Sequence, residues 1–279
     1  MYITECMETR VAGTYDVAVC GGGFAGISAA LAAAREGKKV ILFEKEYILG
    51  GLGTAGLVTI YLPLCDGVGH QVSFGIAEEL LRLSIKYGAE AKYPENWLDG
   101  IGTRTEEDKR FQVQYNAQVF AILAEQLLTE AGVDILYGSY VIDAAVKDNK
   151  IEYLTVVNKT GKTDYYIDSV IDATGDADIA KFVGAPIETY KPGNLLAAWY
   201  YFTDAEGYKL KMLGGSRKPK KLPDDAKVCE MYSNRYAALE AEELSLMTRL
   251  SHEQILHDWL KRRENDPEAV VSTIATIPQ

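Results

Sequence analysis

The order of apolar and polar residues in the first part of the chain predicts a strand, a helix and a second strand. Residues 15–20 and 39–43 are largely apolar runs. Between them, apolar residues recur at the three- and four-residue spacing of a helix, namely Ile27, Ala30, Leu31 and Ala34. The pattern therefore predicts a β-α-β unit whose two strands lie in a parallel sheet.

The same periodicity predicts further elements downstream. Helices are expected at residues 72–87 and 117–131, and the apolar run at 133–137 predicts a third parallel strand. Residues 89–115, between the two helices, show no regular period. Such a segment is a functional loop, an inserted substrate-side piece or a surface excursion, and the sequence does not choose among them.

From residue 140 the pattern changes to strict alternation, which is typical of strands. A three-stranded antiparallel meander is predicted over residues 140–147, 151–158 and 163–167. It leads into a separate apolar strand at 169–176 whose last part contains the small residues Ala173, Thr174 and Gly175. Because ligands bind at the carboxyl ends of strands in open α/β sheets, these residues are candidates for a binding site. Asp178 is predicted to cap the next helix, and Asp176 is left without a role.

The remainder of the chain predicts a second domain. Strands are expected at 195–202 and 269–277, and Ser251 with Gln254 forms a capping-box pattern that predicts the start of a helix. The predicted fold class is therefore α/β. A Rossmann-like domain at 12–187 combines a parallel sheet, helices and an antiparallel meander, and a partial α+β domain follows at 188–279.

The turn after the first predicted strand carries the pattern Gly-x-Gly-x-x-Gly at Gly21, Gly23 and Gly26. In dinucleotide-binding domains the first glycine permits a tight turn, the second lets the backbone approach a pyrophosphate, and the third lets helix and strand pack closely. Glu44 stands at the end of the second strand, where a carboxylate can accept hydrogen bonds from ribose hydroxyls. Strand, glycine turn, helix and acid together predict dinucleotide binding.

A second glycine-rich segment occupies residues 50–56. A domain that binds only a nicotinamide dinucleotide is expected to re-enter a helix soon after its second strand. Here the extra glycines expose backbone close to the expected pyrophosphate. Two interpretations are open: a segment that lines a cofactor, or a flexible loop without a ligand.

Composition narrows the classes of partner. With 48% apolar and 25% charged residues the chain is an ordinary globular protein. Its 29 basic and 40 acidic residues give a net charge of -11, which argues against a nucleic-acid partner. Four scattered cysteines and three histidines offer little to build a metal site. No apolar run reaches the length of a membrane span, so we expect a cytoplasmic protein. Homo-oligomerisation is left open.

Three segments together resemble one protein family: VAVCGGGFAGISAALAAAREGKKVILFEK, LGGLGTAGLVTIYLPLCDG and VIDATGDADIAKFVGAP. The chain resembles the FAD-dependent oxidoreductases with the glutathione-reductase-like flavin fold, and is most similar to their bacterial branch with GGxxTAGLV and DATGDxD signatures. The resemblance implies FAD as the cofactor. It also implies a flavoenzyme that moves a hydride or an electron pair between a small organic substrate and the flavin.

The resemblance implies a cofactor site assembled from several segments. At the pyrophosphate it implies Gly21, Gly23, Phe24, Ala25 and Gly26. At the adenosine ribose it implies Glu44, with Lys45 next to it. Along the route to the flavin it implies Gly51 and Thr54, and at the adenine the backbone of Val141. Near the cofactor it also implies Ala173, Thr174 and Gly175.

The resemblance does not assign a catalytic residue. Polar groups near these segments, for which structural roles are favoured, are His70, Arg104 and Tyr115. Family members usually continue past this length and return to the flavin domain, so the chain is expected to lack the segment at the flavin ring. The alternatives are an NAD-dependent dehydrogenase that uses only the first β-α-β unit, and a non-catalytic nucleotide-binding remnant.

Overall fold

A computed structural model describes residues 8–61, 64, 66, 71–87, 113–188, 191–214 and 233–278. The chain divides into two compact units, Met1–Thr54 with Thr59–Ile187, and Ala55–Val58 with Glu188–Gln279. Residues 55–58, which prediction placed in the first domain, thus belong to the second unit. Most of the predicted insert, residues 89–112, lies outside the described residues, as do His70 and Arg104.

The described part of the first unit is built on a central sheet. The strands of this unit are β1 (Arg10–Cys20), β2 (Val40–Phe43), β3 (Ile60–Tyr61), β4 (Val113–Gln114), β5 (Asp134–Leu136), β6 (Tyr140–Lys147), β7 (Lys150–Asn158) and β8 (Gly161–Asp172). Six of them form one sheet in the order β5-β2-β1-β8-β7-β6, and β3 pairs with β4. β5, β2, β1 and β8 are parallel, whereas β7 and β6 are antiparallel to their neighbours. The predicted α/β class is confirmed.

Apolar side chains on both faces of β1 and β2 place these strands at the centre. The helices of this unit are α1 (Phe24–Arg35), α2 (Ile76–Ile85), α3 (Ala117–Glu130) and α4 (Asp178–Phe182). One apolar cluster joins the sheet to α1 and α3 and includes Val19, Ile27, Leu31, Leu42 and Phe120. A second apolar cluster joins β1 and β2 to the meander strand β7 and includes Ala18, Ile41, Phe43, Leu154 and Val156. Burial on both faces is typical of parallel strands.

Sequence periodicity located most of these elements. The predicted helix at 117–131 and the third parallel strand at 133–137 are confirmed as α3 and β5. One prediction is wrong: the third meander strand and the apolar strand at 169–176 are a single strand, β8. β8 pairs with β1 without interruption from Tyr15↔Ile167 to Cys20↔Asp172, so no turn separates the two predicted strands.

The described part of the second unit packs one long helix on an antiparallel sheet. Its elements are β9 (Ala197–Asp204), β10 (Gly207–Gly214), α5 (Ala241–Asn265) and β11 (Val270–Ile274). The sheet order is β10-β9-β11. The apolar cluster between helix and sheet includes Ala198, Tyr200, Phe202, Met247 and Ile255.

The predicted capping box in this unit is wrong. Ser251 and Gln254 lie in the middle of α5, which begins at Ala241. Both side chains are buried on the sheet side of the helix, and the Ser251 hydroxyl donates to the carbonyl oxygen of Ala197 at 3.0 Å. A serine-x-x-glutamine pattern therefore marks a buried polar contact here. None of the helices in the described ranges is long and apolar enough to cross a membrane.

Candidate functional site

The glycine turn after β1 contains two glycines that the fold itself requires. Gly21 has φ +104°, and a side chain there would overlap the carbonyl oxygen of Ala173 at the end of β8. A side chain on Gly26 would overlap the carbonyl oxygen of Gly21. α1 can therefore approach the turn closely only because both positions lack a Cβ atom.

Gly23 differs from both, because neither its conformation nor its neighbours require glycine. Its φ is −68°, which any residue adopts, and a Cβ atom placed on it would have no protein atom within 4 Å. It is the N-cap residue of α1, and its carbonyl accepts a hydrogen bond from the N–H of Ile27 at 2.9 Å. N–H groups in the first turn of a helix have no partner inside the helix, and they carry its positive dipole end. The open space at Gly23 thus gives an anionic group access to the start of α1.

The second glycine segment lies directly against the first. Gly50 donates its N–H to the carbonyl oxygen of Gly22 at 2.8 Å, and a Cβ atom on Gly51 would lie 3.3 Å from the Cα of Gly23. The segment continues as a short 3-10 helix, Gly51–Gly53. Two glycine-rich stretches that are separate in sequence therefore lie side by side next to the open space.

Thr54 holds this segment from within. The Thr54 side chain is fully buried, and its hydroxyl donates to the carbonyl oxygen of Leu49 at 2.5 Å. Its hydroxyl therefore fixes the shape of the segment, and its place along the route to a cofactor stays a prediction.

The residues between the glycines of the first turn point in different directions. The ring of Phe24 stacks on Phe120 of α3, with 4.6 Å between ring centroids and 6° between planes. Phe24 therefore faces the core and can offer a ligand only its backbone. Ala25, the next residue of α1, is exposed.

Glu44 is buried at the end of β2, and its carboxylate bridges two loops. One carboxylate oxygen accepts the N–H of Gly22 at 2.6 Å, and the other accepts the N–H of Glu46 at 2.8 Å. Burial raises the pKa of Glu44 above its ordinary value, and the two backbone hydrogen bonds oppose that shift. Each oxygen keeps a second lone pair, so the group can still accept a ligand hydroxyl. Lys45 is exposed beside it.

The residue before β6, Ser139, lies next to Glu44. The N–H of Ser139 donates to the carbonyl oxygen of Glu44 at 3.0 Å. Val141 follows in β6, half-buried and paired with Val156. β6 is an edge strand of the sheet. Backbone groups on its unpaired side can therefore hydrogen-bond to a ligand.

The small residues after β8 return to the glycine turn. The N–H of Ala173 donates to the carbonyl oxygen of Cys20 at 2.9 Å, and Gly175 has φ +95°. The Thr174 hydroxyl donates to Asp172 at 2.7 Å. These contacts place the ends of β1 and β8 side by side at the carboxyl edge of the sheet.

Asp172 caps the helix that follows, and the prediction that Asp178 does so is wrong. One carboxylate oxygen of Asp172 accepts the N–H groups of Ile179 and Ala180 at 3.0 and 3.1 Å. Asp178 is itself the first residue of α4, and its N–H donates to the Thr174 hydroxyl at 3.0 Å. The chain reaches this geometry because Ala177 adopts a left-handed conformation, which the sequence does not signal.

Other candidate groups near the site have structural roles. Tyr115 is buried, and its phenol donates to the carbonyl oxygen of Gly53 at 2.7 Å. Cys20 is buried in β1, and burial, helped by the nearby Asp172 charge, raises the pKa of its thiol to about 12. In the described ranges, His, Cys, Asp and Glu side chains form no group of three or more suited to a metal ion.

Comparison with protein families gives one match over most of the chain. The sequence model of the family described as FAD dependent oxidoreductase matches residues 16–257. The match begins in β1 and ends within α5, so it includes every segment of the site described above. No curated protein sequence matches this chain.

Several solved structures are similar to part of this chain. A geranylgeranyl bacteriochlorophyll reductase-like protein from Thermoplasma acidophilum is 20% identical, with a TM-score of 0.45 over 69% of this chain and 47% of that one. L-proline dehydrogenase from P. horikoshii is 14% identical, with a TM-score of 0.44 over 71% and 62%. Glycine oxidase from Geobacillus kaustophilus is 16% identical, with a TM-score of 0.44 over 69% and 63%. The chain thus spans between 47% and 63% of the length of these proteins.

Proposed function

The chain belongs to the FAD-dependent oxidoreductase family, and from that premise we propose that its first unit binds FAD at the two glycine-rich segments. The observation that carries the proposal is the open space at Gly23. A glycine that neither φ nor packing requires is explained when a ligand occupies the space where a side chain would stand. The residues present therefore fit FAD.

In this proposal each part of the site takes one part of the cofactor. The pyrophosphate lies at Gly23 and the start of α1, where N–H groups and the helix dipole stabilise its charge. Glu44 accepts ribose hydroxyls through its remaining lone pairs. Gly51 borders the pyrophosphate from the opposite side, and the backbone of Val141 meets the adenine. The small residues that border the cofactor at the end of β8 are Ala173, Thr174 and Gly175.

The proposed reaction is transfer of a hydride or an electron pair between a small organic substrate and bound FAD. The flavin supplies the redox chemistry when it is bound, and the protein supplies position and electrostatics. We assign cofactor binding to the first unit and substrate binding to the second. The family match and the second glycine segment favour FAD over an NAD-only dehydrogenase.

Absorption spectroscopy of the purified chain tests this proposal. After FAD is added and free FAD is removed by gel filtration, the wild type is expected to retain one FAD per chain and to show flavin bands in the visible spectrum. Gly23→Val should fold, as judged by circular dichroism, and lose these bands because the valine fills the pyrophosphate space. Gly13→Ala is the matched control, since a Cβ atom there makes only an ordinary contact of 3.5 Å with Tyr15. A wild type that FAD neither colours nor stabilises would contradict the proposal and favour a non-catalytic remnant.

A further inference from the structure

Tyr115 connects the second glycine segment to the protein core. It follows β4 directly, and its backbone N–H donates to the carbonyl oxygen of Thr59 at 3.0 Å. Its side chain is 1% exposed, and its phenol donates to the carbonyl oxygen of Gly53 at 2.7 Å. The hydrogen bond joins residues that are 62 positions apart in sequence.

Gly53 lies in contact with the aromatic cluster to which Tyr115 belongs. A Cβ atom on Gly53 would overlap the ring of Phe24 and lie 2.6 Å from the Tyr115 phenol oxygen. The rings of the cluster meet edge to face or stacked, with centroid distances of 4.6–6.2 Å, in Phe24, Tyr61, Tyr115 and Phe120. The glycine segment therefore rests on an aromatic base, and the Tyr115 phenol gives it a directed polar contact with that base.

The other side of the same segment faces the open space at Gly23. Gly50 is hydrogen-bonded to Gly22, and a Cβ atom on Gly51 would lie 3.3 Å from the Cα of Gly23. A shift of Gly53 away from the core would move these residues, because Gly51–Gly53 is one continuous 3-10 helix. The Tyr115 phenol thus supports the glycine segment from the core side, while the Gly50–Gly22 hydrogen bond joins the two glycine-rich segments directly.

We propose that Tyr115 is a positioning residue for FAD, which holds the second glycine segment at the distance from Gly23 that the pyrophosphate requires. This inference rests on the proposed FAD site. Tyr115 does not touch the cofactor and acts only through the carbonyl group of Gly53. Phenylalanine at this position keeps the aromatic ring and removes the phenol that donates to Gly53.

Tyr61 offers a matched control within the same cluster. Its phenol donates to the carbonyl oxygen of Ala77 in α2 at 2.8 Å, and its ring meets the Tyr115 ring at 6.2 Å and 66°. Tyr61→Phe and Tyr115→Phe each remove one phenol hydrogen bond to a backbone carbonyl. Of the two variants, only Tyr115→Phe removes a hydrogen bond to the glycine segment.

The experiment measures the FAD dissociation constant, the visible spectrum of bound flavin and urea unfolding for wild type and both variants. Tyr115→Phe is expected to raise the dissociation constant by about threefold to tenfold, the value of one lost hydrogen bond, and to shift the flavin spectrum. Both variants lose one hydrogen bond, so Tyr61→Phe should lower the urea midpoint about as much as Tyr115→Phe does. Tyr61→Phe should change FAD affinity by less than about twofold.

The outcomes are distinguishable. If both variants bind FAD like the wild type, or if both weaken binding equally, the positioning role of Tyr115 is wrong and the proposed FAD site stands. If the wild type itself does not bind FAD, the proposed function fails and this inference fails with it.

Discussion

The Glu44 carboxylate accepts a hydrogen bond of 2.6 Å from the backbone N–H of Gly22, so the acid after β2 holds the glycine turn after β1. The same carboxylate also binds the N–H of Glu46. Glu44 therefore has a structural role in addition to its proposed contact with ribose. The two roles use different lone pairs of the same group.

Glu44→Gln is expected to change how stability depends on pH. Burial raises the pKa of Glu44 above 4.5, so the folded protein holds a proton that the unfolded chain has already released. Stability contributed by Glu44 is therefore present below its unfolded pKa and is lost as the pH rises through the higher folded pKa. The free energy of unfolding of wild type minus that of Glu44→Gln should fall across this window, as measured by urea unfolding at several pH values. A difference that instead grows with pH would show that the backbone hydrogen bonds outweigh burial.

Substitution by alanine should lower the unfolding free energy at Gly26 but leave it nearly unchanged at Gly23. Gly26→Ala places a methyl group on the carbonyl oxygen of Gly21, and overpacking of this kind costs about 1–3 kcal/mol or more of unfolding free energy. Gly23→Ala meets no protein atom and should stay within about 1 kcal/mol of wild type. Thermal unfolding of the cofactor-free protein measures both values. Equal losses would contradict the view that Gly23 is kept open for a ligand.

The elements around this turn could be predicted because their signals are local. The spacing of Ile27 and Leu31 predicts α1, and the apolar run of β2 predicts a buried strand, whatever the rest of the chain does. Gly21 and Gly26 followed from the same local pattern. The sequence could not show that Gly23 is the motif glycine with free space, because that depends on which distant residues approach the turn.

Features that depend on long-range contacts were missed. The phenol of Tyr115 reaches Gly53 across 62 positions, and no periodicity encodes that distance. The resemblance implies that Thr54 lines the route to the flavin, and the sequence does not show that its hydroxyl also bonds inward to Leu49. Polar side chains near a motif can serve either the ligand or the fold, and only the packing distinguishes the two.

Asp172 and Asp178 offer a direct comparison of two capping assignments. Asp172→Ala removes the acceptor of the N–H groups of Ile179 and Ala180, and loss of such a cap costs about 1–2 kcal/mol. Asp178→Ala removes no described side-chain cap contact and should change stability by less than about 0.5 kcal/mol. Urea unfolding of the two variants under identical conditions decides between them. A larger loss for Asp178→Ala would restore the assignment made from sequence.

Ser251→Asp separates a helix-start residue from a buried residue in the middle of a helix. Aspartate is as good an N-cap as serine, so a helix that began at Ser251 would tolerate the change. In α5 the side chain is buried and faces the carbonyl oxygen of Ala197, which cannot donate a hydrogen bond to a carboxylate. The buried charge is therefore expected to lower the unfolding free energy by about 2 kcal/mol or more, whereas Ser251→Ala should cost about 1 kcal/mol. Urea unfolding at neutral pH measures both, and an aspartate variant as stable as wild type would mean that Ser251 does not face the sheet.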